Sequence, residues 1–556
     1  MLITVVHGYL LHGTGSNLYV SNLCRTFCRH GHRVLLFSQE HQPGEIDFIS
    51  RSETFHEDNR ETNLEFERNT AYPGECLHYR PQIGGLMPVY VYDRYPGFEV
   101  KEFPAFNESE LENYLERNRA ALETVFKKES PDLVISQHTI MQPVYTARAL
   151  AGSGKEGSRH LVTVHGSALN FSVRKSDFLR CYALKGINAA DGLVFVSNHS
   201  RTDFTAYFSD LPGLEDKCRV IFAGVNTGLF KPLNSPDEKK EQFSELNDKL
   251  RRSVAAKDSG KSTAEKKEFF RKLQAVSSAS GIRELLTGFR NRTDDWAPDK
   301  DAADKLAEIN WAEEKIVLYY GKYLWTKGIH LLLGAMPLVL QKYPQARLIL
   351  VGFGAAREYL EAITGLLDQG RIDLALEMIT SPHSFGLDDA SENEFSKGLK
   401  SLLSDPGRAS RYRNACKGRI SKQVILTGIM DHEELRMLIP CAAVAVAPSI
   451  FPESFGLVGV EALACGVLPV QTYHSGFADV IDVYEENLQE VFKAAGIRHL
   501  PLDECLVPNL ANNINALFDY QKTLTEKERA HLAQRAHQLA EKYFSWDKIA
   551  KNYLET

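Results

Sequence analysis

Short apolar runs separated by segments of helical spacing, laid down twice along the chain, limit this sequence more than any other feature. The first series is "LITVVHG", "VLLFSQE", "PDLVISQH", "HLVTVHG", "GLVFVS" and "RVIFAG". The second is "KIVLYYG", "ARLILVGFG", "VILTGIM", "VAVAPSI" and "VLPVQT". Runs this short and this uniformly apolar read as strands buried on both faces, and helix-length connections between them make βαβ crossovers of a parallel sheet. At 556 residues the chain is too long for one compact core. The expected fold is α/β, with two doubly wound Rossmann-like domains facing each other across a cleft. Residues 1–232 form the expected N-terminal domain and 233–310 a charged helical insertion. Residues 311–540 form the C-terminal domain, with its own insertion at 371–422, and 541–556 a closing helix that crosses back. The charged stretch from "SPDEKKEQF" to "EKKEFFRKLQ" also reads as a solvated spacer, because it offers few apolar positions to bury.

The charge balance narrows the partners. With 65 Lys and Arg against 72 Asp and Glu, the net charge is -7, so there is no global basic field to collect nucleic-acid phosphates. Nine cysteines without a C-x-x-C pair indicate neither zinc nor a disulfide framework, which fits a reducing, cytoplasmic setting. No run approaches the roughly 20 apolar residues of a membrane-spanning helix. The start "MLITVVHGYLLHGTG" lacks a basic n-region and reads as a first strand.

Ligands of parallel α/β sheets bind at the carboxyl ends of the strands, and the chemistry-bearing residues cluster there. "HGTGSNLYV" puts Gly13 and Gly15 between the first strand and a helix; the dinucleotide pattern G-x-G-x-x-G is incomplete because Leu18 stands at its third glycine. A tight turn or an anion-binding helix start are the readings left. "GKYLWTKG" carries Lys322 and Lys327, which bracket a diphosphate or are merely solvated. "VGFG" is a strand-to-turn glycine pair, and "TVHG" sets His165 at a strand end, either facing a ligand or serving as a packed histidine. "FPESFGLVGVEALACGVLPV" places Glu453 in a loop and Glu461 about two turns into the following helix, whose start at Phe455, Gly456 and Leu457 offers N–H groups. Both glutamates either bind polyhydroxyl ligands or pair locally. Residues 76–106 gather Tyr79, Arg80, Tyr90, Tyr92, Arg94 and Tyr95, which suit an acceptor wall or a covering segment of packed tyrosines.

These motifs resemble those of the GT-B fold retaining glycosyltransferases, family 4 group, over about 400 residues. "PESFGLVGVEALACGVLPV" is similar to the E-x7-E segment, "GKYLWTKG" to G-R-x4-K-G, and "FAGVNTGLFKP" to the interdomain linker motif. Lys322 replaces an arginine, and Ala223 and Asn226 replace linker residues. The resemblance implies a GT-B architecture and transfer of a hexosyl group from a nucleotide diphosphate sugar, a UDP-sugar first, to an acceptor hydroxyl with retention. It implies no cofactor and no metal. By its motifs, Glu461 would bind the donor ribose, Glu453 the donor sugar, and Lys322 and Lys327 the diphosphate, with Gly15 and N–H groups at Phe455, Gly456 and Leu457. His165 would touch the donor sugar, and Thr427, Gly428 and Ile429 would border the nucleobase. "GTGSNLYV" is similar to the start of inositol-phosphate glycosyltransferases, which adds Asn17 to Arg80, Tyr92 and Arg94 as acceptor residues and implies a sugar-phosphate-like acceptor. The expected partners are a nucleotide sugar and a small-molecule or glycan acceptor, without nucleic acid; peripheral membrane contact and a homo-oligomer stay open. The alternative is a catalytically inactive nucleotide-sugar-binding or scaffold subunit of the same fold. An oxidoreductase is disfavoured by the incomplete glycine pattern.

Overall fold

The computed structural model describes residues 1–13, 15–90, 95, 97–233, 235–256, 261–289, 297–386 and 394–556. The chain divides into two compact units, Met1–Gly224 with Phe544–Thr556, and Val225–Tyr543. Among the described residues no helix is long and apolar enough to cross a membrane, and the nine cysteines are free thiols.

The first unit holds strands β1 (Leu2–Val6), β2 (Arg33–Phe37), β3 (Arg51–Phe55), β4 (Thr62–Glu67), β5 (Glu75–Arg80), β6 (Leu86–Val89), β7 (Glu99–Glu102), β8 (Leu133–Gln137), β9 (Arg159–Val164), β10 (Gly192–Phe195) and β11 (Cys218–Val220). Nine of them form one sheet in the order β11-β10-β9-β8-β1-β2-β5-β3-β4; β6 and β7 pair separately. All pairs in the large sheet are parallel except β3 with β4, which is antiparallel. The apolar runs become central strands because helices cover both faces: β8 and β10 are buried along their whole length. The last helix, Trp546–Glu555, packs on the helix Gly15–Arg29. Tyr553 Oη lies 2.9 Å from Tyr19 Oη and 2.8 Å from Thr163 Oγ1, and Asp547 accepts from Arg29 Nη2 at 2.6 Å. A Cβ at Gly224 would come within 2.6 Å of the Trp546 ring, so glycine lets the chain pass under that indole.

The second unit is wound around β12 (Ile316–Tyr320), β13 (Arg347–Val351), β14 (Val424–Leu426), β15 (Val444–Ala447) and β16 (Pro469–Gln471). The order is β14-β13-β12-β15-β16, all parallel. The winding reverses between β12 and β15, which leaves a crevice at their carboxyl ends.

The charged stretch after residue 233 is helical and not a solvated spacer, and it folds onto the second unit. It forms helices Pro236–Ala256, Thr263–Ala275, Ala279–Phe289 and Ala302–Ala307, with a capping box at Ser262 and Glu265. The sparse apolar positions are the ones that dock: Leu246, Leu250, Phe269, Leu273 and Ile282 are fully buried. The helix Arg357–Asp368 admits them at Gly365, where a Cβ would sit 2.7 Å from Leu273 Cδ2.

A chain of buried ions then fastens the insertion. Arg357 donates to both oxygens of Asp299, at 3.0 and 2.6 Å, and to Glu361 at 3.1 Å. Lys266 reaches Asp299 and Asp301, and Lys261 reaches Glu361 and Glu358. Burial works to raise the Asp299 carboxyl, but Arg357 and Lys266 override it and hold the group below its ordinary range. Removing one member of such a network strands the others without a counter-charge. Asp299→Ala is expected to destabilise the second unit by about 3–5 kcal/mol in urea unfolding and to expose residues 261–299 to limited proteolysis; an unchanged midpoint would show that the network does not hold the insertion.

Candidate functional site

In the second unit the chemistry gathers at the crevice between β12 and β15. The loop after β12, residues 321–328, and the loop after β15, residues 448–456, are stitched together by backbone. Ile450 N donates to Thr326 O at 2.9 Å, and Ser449 Oγ to the same oxygen at 3.1 Å. Gly328 has φ +66°, and a Cβ there would lie 1.9 Å from Pro448 O. This approach brings Lys327 Nζ to 2.5 Å from Glu453 Oε1. The pair is partly solvent-exposed, so its value is positional, worth about 1 kcal/mol or less in stability. Glu453 is fixed from behind, since its N–H donates to Ser475 Oγ at 2.9 Å and its C=O accepts from Gly476 N at 2.9 Å. Lys322 stands exposed on the same loop as Lys327.

The helix Leu457–Ala464 begins at Gly456, φ +104°, with no side-chain cap. Phe477 fills the space a Cβ would need there, at 2.2 Å. The first N–H groups of this helix therefore stay available to an oxygen-rich ligand. Glu461 lies about one turn into this helix, and not two as the sequence suggested; it is buried, with His432 Nε2 3.7 Å from its Oε1. Burial raises its carboxyl above the ordinary range, and His432 and Tyr320 partly offset that. A buried carboxylate with so little compensation is suited to accept from ligand hydroxyls.

Thr427, Gly428 and Ile429, expected to border a nucleobase, lie against the inserted segment. Thr427 is fully buried, and its hydroxyl bonds to backbone oxygens of Leu350 and Gly428. The inserted segment occupies the backbone of this loop. Asp299 N donates to Thr427 O at 2.7 Å, Ile429 N donates to Ala297 O at 3.3 Å, and Pro298 bridges Gly428. The space left beside Gly352, Gly354 and Gly428 is a cavity of about 40 Å³, lined also by Lys261, Phe289 and Arg357. Any base binding here meets the insertion as well as this loop, which a motif confined to residues 424–430 does not reveal.

In the first unit, the winding reverses between β1 and β8, and three imidazoles meet at those strand ends. The His138 ring centroid lies 4.8 Å from His165, 6.3 Å from His7 and 4.4 Å from Tyr90. His138 has φ +65°, and among the described residues neither of its ring nitrogens has a hydrogen-bond partner; strain of this kind collects at ligand sites. His165 Nε2 lies 2.9 Å from Gln137 Oε1, and Tyr19 meets its ring edge-on at 5.6 Å. Desolvation pushes His7 down to about 4 and His165 to about 3, and lowers His138 well below its usual value. Neutral imidazoles offer a single N–H and suit a hydroxyl better than a phosphate, which narrows the expectation for His165.

The acceptor residues are placed unevenly. Asn17 is buried, its Oδ1 2.9 Å from His7 Nε2 and its Nδ2 donating to His12 O at 2.7 Å, so both ends of its amide already have partners at the glycine turn. Arg80 is half-buried and paired with Glu65 at 2.7 Å, with Thr54 and His41 as further partners, so its guanidinium braces the sheet edge. Tyr79 and Tyr90 pack inside, as in the covering-segment alternative. Tyr92 and Arg94 lie outside the described residues. Gly15 opens the helix Gly15–Arg29 and is exposed. Sequence reasoning missed His7, His138, His432, Arg357 and Asp299. The two strand-end histidines in "VVHG" and "SQHT" carried the same signal as His165.

Two family models match the chain: Glycosyltransferase Family 4 over residues 13–229 and Glycosyl transferases group 1 over residues 302–370 and 406–495. An uncharacterised glycosyltransferase of Methanocaldococcus jannaschii is 24% identical over 246 residues, 43% of each protein, so the match spans under half of that relative's length. Sucrose-phosphate synthase from Thermosynechococcus elongatus is similar in fold, with a TM-score of 0.51, 18% identity and coverage of 100% of this chain and 97% of that one. The catalytic domain of starch synthase IV from Arabidopsis thaliana, bound to ADP and acarbose, has a TM-score of 0.51, 14% identity and coverage of 100% and 98%.

The buried histidines set an acid limit. Their folded pKa values are depressed, so between about 6.5 and 4 the unfolded chain binds protons that the folded chain does not. Stability is complete above pH 6.5 and falls as pH drops toward 4, by up to about 1.4 kcal/mol per pH unit for each such histidine. His138→Asn, which tolerates a positive φ, is expected to flatten the pH dependence of urea unfolding between pH 7 and 5. An unchanged slope would mean that His138 is not neutral in the fold.

Proposed function

From a chain that belongs to the family 4 glycosyltransferases and has their GT-B fold, we propose a retaining hexosyltransferase that uses a nucleotide diphosphate sugar, with a UDP-sugar as the first donor to test. The observation that carries this reading is the Lys327–Glu453 pair at the β12/β15 crevice, set beside the open N-terminus of the helix Leu457–Ala464. Glu453 holds the ammonium in position before the donor arrives. When the diphosphate enters, Lys327 exchanges its carboxylate partner for phosphate oxygens, joined by Lys322 and the helix N–H groups. Glu453 is then free to accept from sugar hydroxyls, and Glu461 from the ribose. His165, neutral, donates to or accepts from the transferred sugar.

In the transfer step the bond from the anomeric carbon to the diphosphate oxygen breaks, and the acceptor oxygen bonds to that carbon on the same face. The acceptor proton passes to the departing diphosphate. Lysines and helix N–H groups stabilise the charge that develops there, which is the largest contribution such a site makes. The proposed chemistry is metal-independent, so activity is expected to persist in EDTA. The acceptor is a small polar molecule, a sugar or a sugar phosphate.

Two substitutions test separate roles. Glu461→Ala is expected to weaken nucleotide affinity by about tenfold to a hundredfold, or 1.4–2.7 kcal/mol, in calorimetric titration. Lys327→Ala is expected to lower kcat by about 10²–10³, as for loss of one donor to a developing oxyanion, with donor affinity changed far less. Near-normal turnover would remove Lys327 from the leaving-group role. Screening UDP-, GDP- and ADP-sugars by thermal shift identifies the base, and donor hydrolysis in the absence of acceptor separates an active enzyme from an inactive binding subunit.

A further inference from the structure

The second unit has another cavity, at the amino end of the same sheet. It measures about 580 Å³ and is lined by Lys239, Lys315, Arg529, Trp311, Ala443 and Cys465, among others. Lys315 precedes β12 directly, and Ala443 precedes β15. The crevice that holds Lys327 and Glu453 lies at the opposite ends of these strands, so the two sites share a sheet and no residue. Cavities of this size accommodate small molecules.

Its charge is unusual for this unit. Elsewhere the buried cations are matched: Lys261, Lys266 and Arg357 sit in the ion network, and Arg347 pairs with Glu314. Lys239 and Lys315 are half-buried, and among the described residues the ammonium of neither makes a hydrogen bond or an ion pair. Arg529 spends Nε and Nη2 on Leu524 O and carries a full charge beside them. Burial lowers Lys239, and burial followed by Arg529, Lys239 and Lys522 lowers Lys315. The acids lining the cavity are Glu313 and Glu526, both exposed, and Glu314, which Arg347 occupies. Desolvated ammonium groups that repel each other and lack a counter-ion are costly unless something anionic joins them. Trp311 forms an apolar wall, with the Phe243 ring tilted against it at 4.6 Å between centroids and Lys239 Nζ 5.9 Å from the centre of its ring.

We propose that this cavity binds a small soluble molecule carrying a phosphate or diphosphate group, held by Lys239, Lys315 and Arg529, with its less polar part against Trp311. The site is separate from the donor crevice and independent of the transferase reading. Its occupancy bears on the sheet from the amino ends of β12 and β15, the strands whose carboxyl ends carry Lys327 and Glu453.

Inorganic pyrophosphate serves as the probe, titrated calorimetrically into the full chain carrying Lys322→Ala and Lys327→Ala, which keeps the donor-side lysines from responding. The expected result is a saturable isotherm whose affinity falls at least tenfold when Lys239→Met and Lys315→Met are added. Without pyrophosphate, the two methionines are expected to raise the melting temperature, because each removes a buried unpaired charge and keeps the apolar stem. No isotherm, or an isotherm that the methionines leave unchanged, overturns the proposal. A lower melting temperature in the ligand-free methionine variant also overturns it, because the lysines then serve the fold and not a ligand.

Discussion

Position 328 admits no side chain. Its φ of +66° and the 1.9 Å that would separate a Cβ from Pro448 O force the loop after β12 against the loop after β15. The Lys327–Glu453 pair follows from that approach, as do the bonds from Ile450 and Ser449 to Thr326 O. A larger residue would separate the two strand ends and leave a lysine and a glutamate each exposed to water. One backbone contact thus sets the geometry on which the charge chemistry of the second unit depends.

The two carboxylates of "FPESFGLVGVEALACGVLPV" are eight residues apart and differ in their physics. Glu453 is partly exposed and already paired with Lys327. Glu461 is buried next to His432 at 3.7 Å, and desolvation raises its pKa; a ligand hydroxyl improves its situation outright. In the proposed reaction the first residue changes its partner, and the second takes hydrogen-bond donors from the ligand.

The strands, the switch points and the strand-end lysines and glutamates were legible because a parallel sheet writes its core as apolar runs and its site as the residues just after them. The docking of the insertion was not. Its charges look solvent-facing in sequence, yet Lys266 and Arg357 meet over Asp299 across 33 and 58 residues of chain. Sequence spacing carries no signal for such pairings. The partners of Asn17 and Arg80 were hidden for a related reason: His7, His12 and Glu65 come to these side chains from other strands and loops, which spacing does not show. Local pattern identifies which residue types stand at a strand end, and tertiary contacts decide which of them remain free.

The bridge between Pro298 and Gly428 has a meaning beyond the base-side loop. β14 is one of the two outer strands of the five-stranded sheet, and an outer strand exposes unpaired backbone groups to any chain that approaches. The insertion caps this rim with its own backbone at Thr427 and Ile429, and it does so through a proline, which has no N–H to continue a ladder. The segment therefore blocks strand addition just beyond the carboxyl end of β14, and this stretch of the rim carries its own guard against edge-to-edge association.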